Sequence, residues 1–122
     1  DHLHPNTRKE QVKVLINQIK YINKDKLPIL LNGDFNESPS NEVRKLIEWS
    51  SLNLSDPWLA LNTPEEGSHH KFDGNNKQTK RIDWVLHTKE FSPIEIQLIK
   101  THENNLYPSD HFPVEATLKI NL

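Results

Sequence analysis

Leu27-Pro28-Ile29-Leu30-Leu31-Asn32-Gly33-Asp34-Phe35-Asn36 runs from an unbroken apolar stretch into a polar pair, and that change of character decides the fold. The residues from Leu27 to Leu31 are too few for a helix and show no alternation, which suits a short strand buried on both faces. The strand delivers Asp34 to a loop. Along an extended segment Asp34 and Asn36 point to the same side, so a carboxylate and an amide stand together beside any ligand at the strand end. The carboxylate can take a proton from water or hold a metal, and the amide can donate to a charged phosphate oxygen without itself titrating. The same residues also fit an Asx-turn in a helix-capping loop, since Asp and Asn are turn formers.

Upstream, apolar Val12, Leu15, Ile16, Ile19 and Ile22 recur at helical spacing between Asn6 and Lys24, with Asn6 or Thr7 as the expected cap. Downstream, Ser38-Pro39-Ser40 is a helix-start signal, and Val43, Leu46 and Ile47 form one face of a helix ending near Ser50. Leu52 to Pro64 reads as a long loop with a turn of helix around Trp58-Leu59-Ala60. His69 to Asp73 and Lys80 to Leu86 flank the turn-forming Gly74-Asn75-Asn76-Lys77 and predict a hairpin. Ile94 to Thr101 and Val114 to Ile120 alternate as half-buried strands. The expected order is therefore helix, strand, helix, then four strands.

A chain of 122 residues is one domain at most, small for a catalytic domain that must also build a substrate cleft. Its hydrophobic share of 34%, charged share of 26% and net charge of -2 are those of an ordinary soluble protein and do not announce a nucleic-acid binder. The absence of cysteine removes disulfides and thiolate metal sites and leaves the compartment open, cytoplasmic or secreted. No apolar stretch approaches the roughly 20 residues that span a bilayer. The start, Asp1-His2-Leu3-His4, and the lack of any methionine suggest the inside of a longer protein.

Two further segments carry chemistry. Arg81-Ile82-Asp83-Trp84-Val85-Leu86 sets an acid inside a strand-like run, where an unpaired carboxylate is costly. Its natural partner is an imidazole, whose tautomer a carboxylate fixes; a salt bridge to Arg81 or Lys80 is the alternative. Ser109-Asp110-His111-Phe112-Pro113-Val114 supplies that imidazole. Adjacent Asp110 and His111 point in different directions, which suits metal ligation for the carboxylate and contact with a reacting phosphate for the imidazole. Taken singly, such a histidine is as often a surface or core residue. No Gly-x-Ser-x-Gly nucleophile elbow occurs. The pairs His2/His4 and His69/His70 do not match a two-histidine helical zinc motif and suit solvent-exposed or substrate-contacting roles.

Together, Gly-Asp-Phe-Asn, Arg-Ile-Asp and Ser-Asp-His, in this order, resemble the signature blocks of the endonuclease/exonuclease/phosphatase (DNase I-like) superfamily. The resemblance implies an α/β fold, the C-terminal half of a four-layer α/β sandwich of two mixed sheets with outer helices. It implies that Asp34 and Asn36 handle the nucleophilic water and the developing phosphorane charge, that Asp83 and His111 pair, and that Asp110 lies at or beside a divalent metal, with Asp34 a second ligand. Asp1-His2 looks like the tail of a Thr-His-Leu-Asp-His block of a bacterial branch. Gly67-Ser68-His69-His70 looks like that branch's Gly-Thr-x-His, with His70 as the matching, substrate-contacting histidine.

In the family a metal-binding Glu, an Asn and a further His precede these blocks, so residues 1–122 are expected to be a partial domain completed by a missing N-terminal half or by a partner chain. The expected activity is Mg²⁺-dependent, or Mn²⁺-dependent, hydrolysis of a phosphodiester or phosphomonoester by in-line attack of water. A nuclease using the same residues is one alternative. Lys71, Lys77, Lys80 and Arg81 could grip a phosphate backbone, although basic residues near a turn are more often a solvated face. A non-catalytic fragment serving binding or assembly is the other, and it would expose an apolar face.

Overall fold

Pro5 opens the first helix of the computed structural model, which describes residues 1–121. Helix α1 spans Pro5–Ile22, and a proline suits its first turn because that N–H has no intrahelical partner. The cap position is His4, without a side-chain cap bond, so the helix starts before the expected Asn6 or Thr7. Val12 and Ile16 are buried, with Leu15 and Ile19 half-buried beside them.

Strand β1 spans Leu30–Asp34 and pairs antiparallel with β2, Asp83–His87, in the register Leu31↔Leu86, Gly33↔Trp84 and Asp34↔Asp83. Helix α2, Glu42–Glu48, lies between them in sequence. One face of this sheet presents Leu31, Trp84 and Leu86 to Val12 and Ile16 of α1 and Val43 and Ile47 of α2. The period of two then puts Asp34 and Asp83 together on the opposite face. Burial of β1 on both faces does not hold. Leu30 is 52% exposed, because it alternates to the face opposite Leu31, away from the helix core.

A single helical turn, α3 at Pro57–Ala60, starts at Asp56, whose carboxylate accepts the Trp58 N–H at 2.8 Å. Strands β3, Phe91–Leu98, and β4, Val114–Ile120, form a second antiparallel pair. Trp58, Ile96, Leu98 and Phe112 make a second core between α3 and this pair. Strand β2 touches β4. The class is α/β as expected, a helix layer on one sheet and a second sheet beyond it. The pairing is antiparallel in both, where mixed sheets were expected of the complete fold.

The expected hairpin of residues 69–73 with 80–86 is absent. Lys71, Phe72 and Gly74 take φ of 52°, 67° and 73°, which turns the chain where a strand would need extended backbone. A Cβ on Gly74 would run into the Tyr107 hydroxyl, and the positive φ there favours glycine as well. His69 instead bridges to His111.

Behind the sheet, Asp56 accepts from Arg44 Nη1 at 2.9 Å and Arg81 Nη2 at 3.0 Å, and Glu65 takes two further bonds from Arg81. The guanidinium groups lie over Trp84 and Trp58 respectively. Burial pulls Arg44 below its ordinary value, with the charge and hydrogen bond of Asp56 opposing. This network ties α2, α3 and the segment entering β2 into one frame. Among the described residues, no helix is long and apolar enough to cross a membrane.

Candidate active site

The ends of β1 and β2 lie side by side, with Asp34 directly opposite Asp83. The ladder extends one step further, through Phe35 N–H to the Ile82 carbonyl at 2.8 Å. The Phe35 ring stacks on Trp84 at 4.4 Å, which holds the Gly33–Asn36 segment against the core. Two like charges facing each other across a ladder are destabilising without a cation between or beside them.

His111 stands beside them. Its Nδ1 lies 2.7 Å from Asp83 Oδ2. The same oxygen is 2.6 Å from the Ser68 hydroxyl, on a residue with no exposed surface. Ser68 Oγ accepts the backbone N–H groups of Ile82 at 3.0 Å and Asp83 at 3.2 Å. A hydroxyl has two lone pairs and one proton, so that proton is committed to Asp83. Asp83 Oδ2 is thus an acceptor toward Ser68, and the proton shared with His111 sits on Nδ1, leaving Nε2 to face outward. Burial pushes the His111 pKa down, but the Asp83 hydrogen bond and charge, with the charges of Asp34 and Asp110, outweigh it and raise the net value.

Asp34 is exposed, and its Oδ1 accepts the Asn36 N–H at 2.8 Å with Asn36 at φ 54°. This is an Asx-turn, so the expected extended geometry of the pair does not hold. The turn nonetheless keeps the amide beside the carboxylate, and the Asn36 side chain makes no hydrogen bond among the described residues. Asp110 and His111 have different partners, although their donor atoms lie within 4.8 Å of each other. Asp110 Oδ2 is 3.6 Å from His69 Nε2, while His111 reaches Asp83.

Two residues expected to contact substrate are buried. His70 is 1% exposed, stacked on Phe112 at 4.0 Å, with Nδ1 accepting the Gly74 N–H. In this chain its ring is packed in the core and does not face solvent. Arg81 has a fully buried guanidinium held by Asp56 and Glu65, so it braces the strand entry instead of gripping a ligand. Lys71, Lys77 and Lys80 are exposed.

The residues at the rim that sequence reasoning missed are Ser68 and His69. Successive side chains of an extended segment alternate, so only one of His69 and His70 can face the rim. Which one does depends on the pairing with His111, which no local signal shows.

The donor set fits a hard divalent cation. Asp34, Asp83 and Asp110 surround one imidazole, an excess of negative charge. Asp83 Oδ2 is engaged by Ser68 and His111 and Asp34 Oδ1 by the Asn36 N–H, which leaves one oxygen each on Asp34 and Asp83 and the Asp110 carboxylate for an ion, and Mg²⁺ typically takes one or two carboxylates plus waters and substrate phosphate. Asp34 and Asp110 flank His111 and fall into different three-donor groups, Asp34 with Asp83 and His111, and Asp110 with His69 and His111.

No protein-family profile and no curated protein matches the sequence. Solved structures do. An endonuclease/exonuclease/phosphatase family protein from Bacteroides thetaiotaomicron is 26% identical with a TM-score of 0.78, over 97% of this chain and 47% of that one. A mannosyl-6-phosphatase of the same organism is 25% identical with a TM-score of 0.80, over 98% and 48%. The human Nocturnin catalytic domain, solved with bound sulfate, shares the fold at 24% identity and a TM-score of 0.72, over 94% and 41%. The chain spans about half the length of the first structures it matches.

Proposed function

We propose that this chain, whose fold is that of the endonuclease/exonuclease/phosphatase superfamily, forms the C-terminal half of a Mg²⁺-dependent phosphoesterase. The observation that carries the reading is the 2.7 Å contact of Asp83 with His111 on a rim shared with Asp34, Asn36 and Asp110. Asp34 and Asp110 would offer oxygens to the ion, whose charge favours ionised water and offsets charge building on the phosphate. Mn²⁺ suits the same oxygens.

In this mechanism a water oxygen bonds to phosphorus as the bond to the ester oxygen breaks, and no covalent enzyme intermediate forms. Asp34 takes the water's proton. His111, held in one tautomer by Asp83 and favoured in its protonated form by the surrounding carboxylates, returns a proton to the departing oxygen through Nε2, so protons balance. The Asn36 amide donates to a non-bridging oxygen as charge develops there.

Likeness to a mannosyl-6-phosphatase favours a phosphomonoester, and a sugar phosphate is the first substrate class to test. A nuclease is the second reading, favoured by exposed Lys77 and Lys80 close to the segment that enters β2. The rest of the domain, on the same polypeptide or on a partner chain, would supply the remaining metal ligand and the substrate pocket. Assaying the complete protein with Mg²⁺ against sugar phosphates, single-stranded DNA and RNA tests this. Hydrolysis of none, or hydrolysis unaffected by His111→Ala, sinks the reading.

A further inference from the structure

His69 has no part in this mechanism, yet it stands against His111. The two histidines oppose each other at an antiparallel bridge. The flanking bonds, His70 N–H to the Asp110 carbonyl at 2.8 Å and Phe112 N–H to the Ser68 carbonyl at 2.7 Å, make theirs a non-hydrogen-bonded pair. In such pairs the side chains stand closest. The ring centroids are 5.1 Å apart and the rings are inclined at 61°.

Asp110 completes the group, with one donor atom from each of His69, Asp110 and His111 lying within 4.8 Å of the others. His111 gives its Nδ1 proton to Asp83, so Nε2 is its coordinating atom. An imidazole backed by a carboxylate is the usual state of a metal-bound histidine. Ser68 in turn holds that carboxylate. Two imidazoles and one carboxylate match the three-ligand zinc pattern, whereas Mg²⁺ prefers oxygens alone.

We propose that His69, Asp110 and His111 form a Zn²⁺ site. Occupation takes Nε2 of His111, so Zn²⁺ and phosphate compete for the same nitrogen. The binding does not depend on the phosphoesterase reading; the competition does.

Calorimetric titration of the chain with ZnCl₂, alongside NMR of the histidine rings, tests the site. One Zn²⁺ should bind, millimolar Mg²⁺ should displace little of it, and the His69 and His111 ring signals should move. His69→Gln should weaken binding at least about tenfold, since losing a ligand should cost no less than losing an outer-shell partner. Circular dichroism checks that the variant stays folded. A His2→Gln/His4→Gln variant should bind as the parent does, which excludes the N-terminal histidines. Equal affinity in His69→Gln, or ring shifts confined to His2 and His4, would overturn the site; the latter decides the matter even if His69→Gln does not fold. Absence of Mg²⁺-dependent hydrolysis would leave these measurements unaffected.

Discussion

His111 gains its partners only in the folded state, and its pKa is raised there. Its contribution to stability is therefore complete below the unfolded value of about 6.5 and is lost as pH rises through the folded pKa. Asp83→Asn keeps the size and removes the charge, so the His111 pKa should fall, and NMR titration of the ring reads it directly. In the complete enzyme the same substitution should reduce turnover on the order of 10²-fold or more, as should His111→Ala. The double variant should be little worse than His111→Ala; additive losses would mean that Asp83 works independently. Ser68→Ala leaves two backbone N–H groups without their acceptor and should cost about 1–3 kcal/mol in urea unfolding. The Asp83–His111 pairing was among the partners readable from residue types, because a carboxylate inside a strand needs one; a salt bridge to Arg81 or Lys80 was the alternative. Ser68 was not readable, because nothing local distinguishes a serine that locks a carboxylate from one in a turn.

Elements followed their patterns where the determinants were local. The 3.6-residue period of Val12, Ile16 and Ile19 and the alternation from Val114 to Ile120 correspond to α1 and β4. Caps were harder to read. Helix α2 was expected to start on Ser38 or Ser40, yet the acceptor for the Val43 N–H is Glu37 Oε2 at 3.1 Å, while its Oε1 takes Arg8 Nε at 3.0 Å. One buried carboxylate thus caps α2 and pins α1. Glu37→Ala should destabilise by about 3 kcal/mol, since it leaves a largely buried guanidinium unpaired, and the shift of the urea midpoint measures it. The false hairpin has an equally physical origin. A cluster such as Gly74-Asn75-Asn76-Lys77 specifies a turn without specifying what the flanking segments pair with, and β2 pairs with β1 instead.

At the scale of the molecule, the two small sheets leave Leu30, Ile94 and Ile120 at least 46% exposed. β1 also has an unpaired edge among the described residues, and such an edge invites pairing with another chain. The 122-residue chain by itself should therefore associate in size-exclusion chromatography and show no Mg²⁺-dependent hydrolysis. On the proposed reading, adding the remainder of the domain should restore both a defined size and activity. A monodisperse, active fragment would show that the rim needs nothing further.

The amino-acid sequence by itself determined the chemistry on offer and its stations along the chain: Asp34 and Asn36 after one apolar run, Asp83 within another, Asp110 and His111 before a third. It also determined the helices and strands whose apolar period is short-range, since 3.6- and 2-residue repeats are properties of neighbours. Only the tertiary structure decided which groups meet. Pairing of β1 with β2 set Asp34 opposite Asp83, and the bridge of His69 to His111 chose His69 over His70 for the rim. The same packing took Arg81 from the surface into a buried carboxylate frame. The reason is that strand pairing joins residues tens of positions apart, and a change of one residue in register turns every side chain to the opposite face.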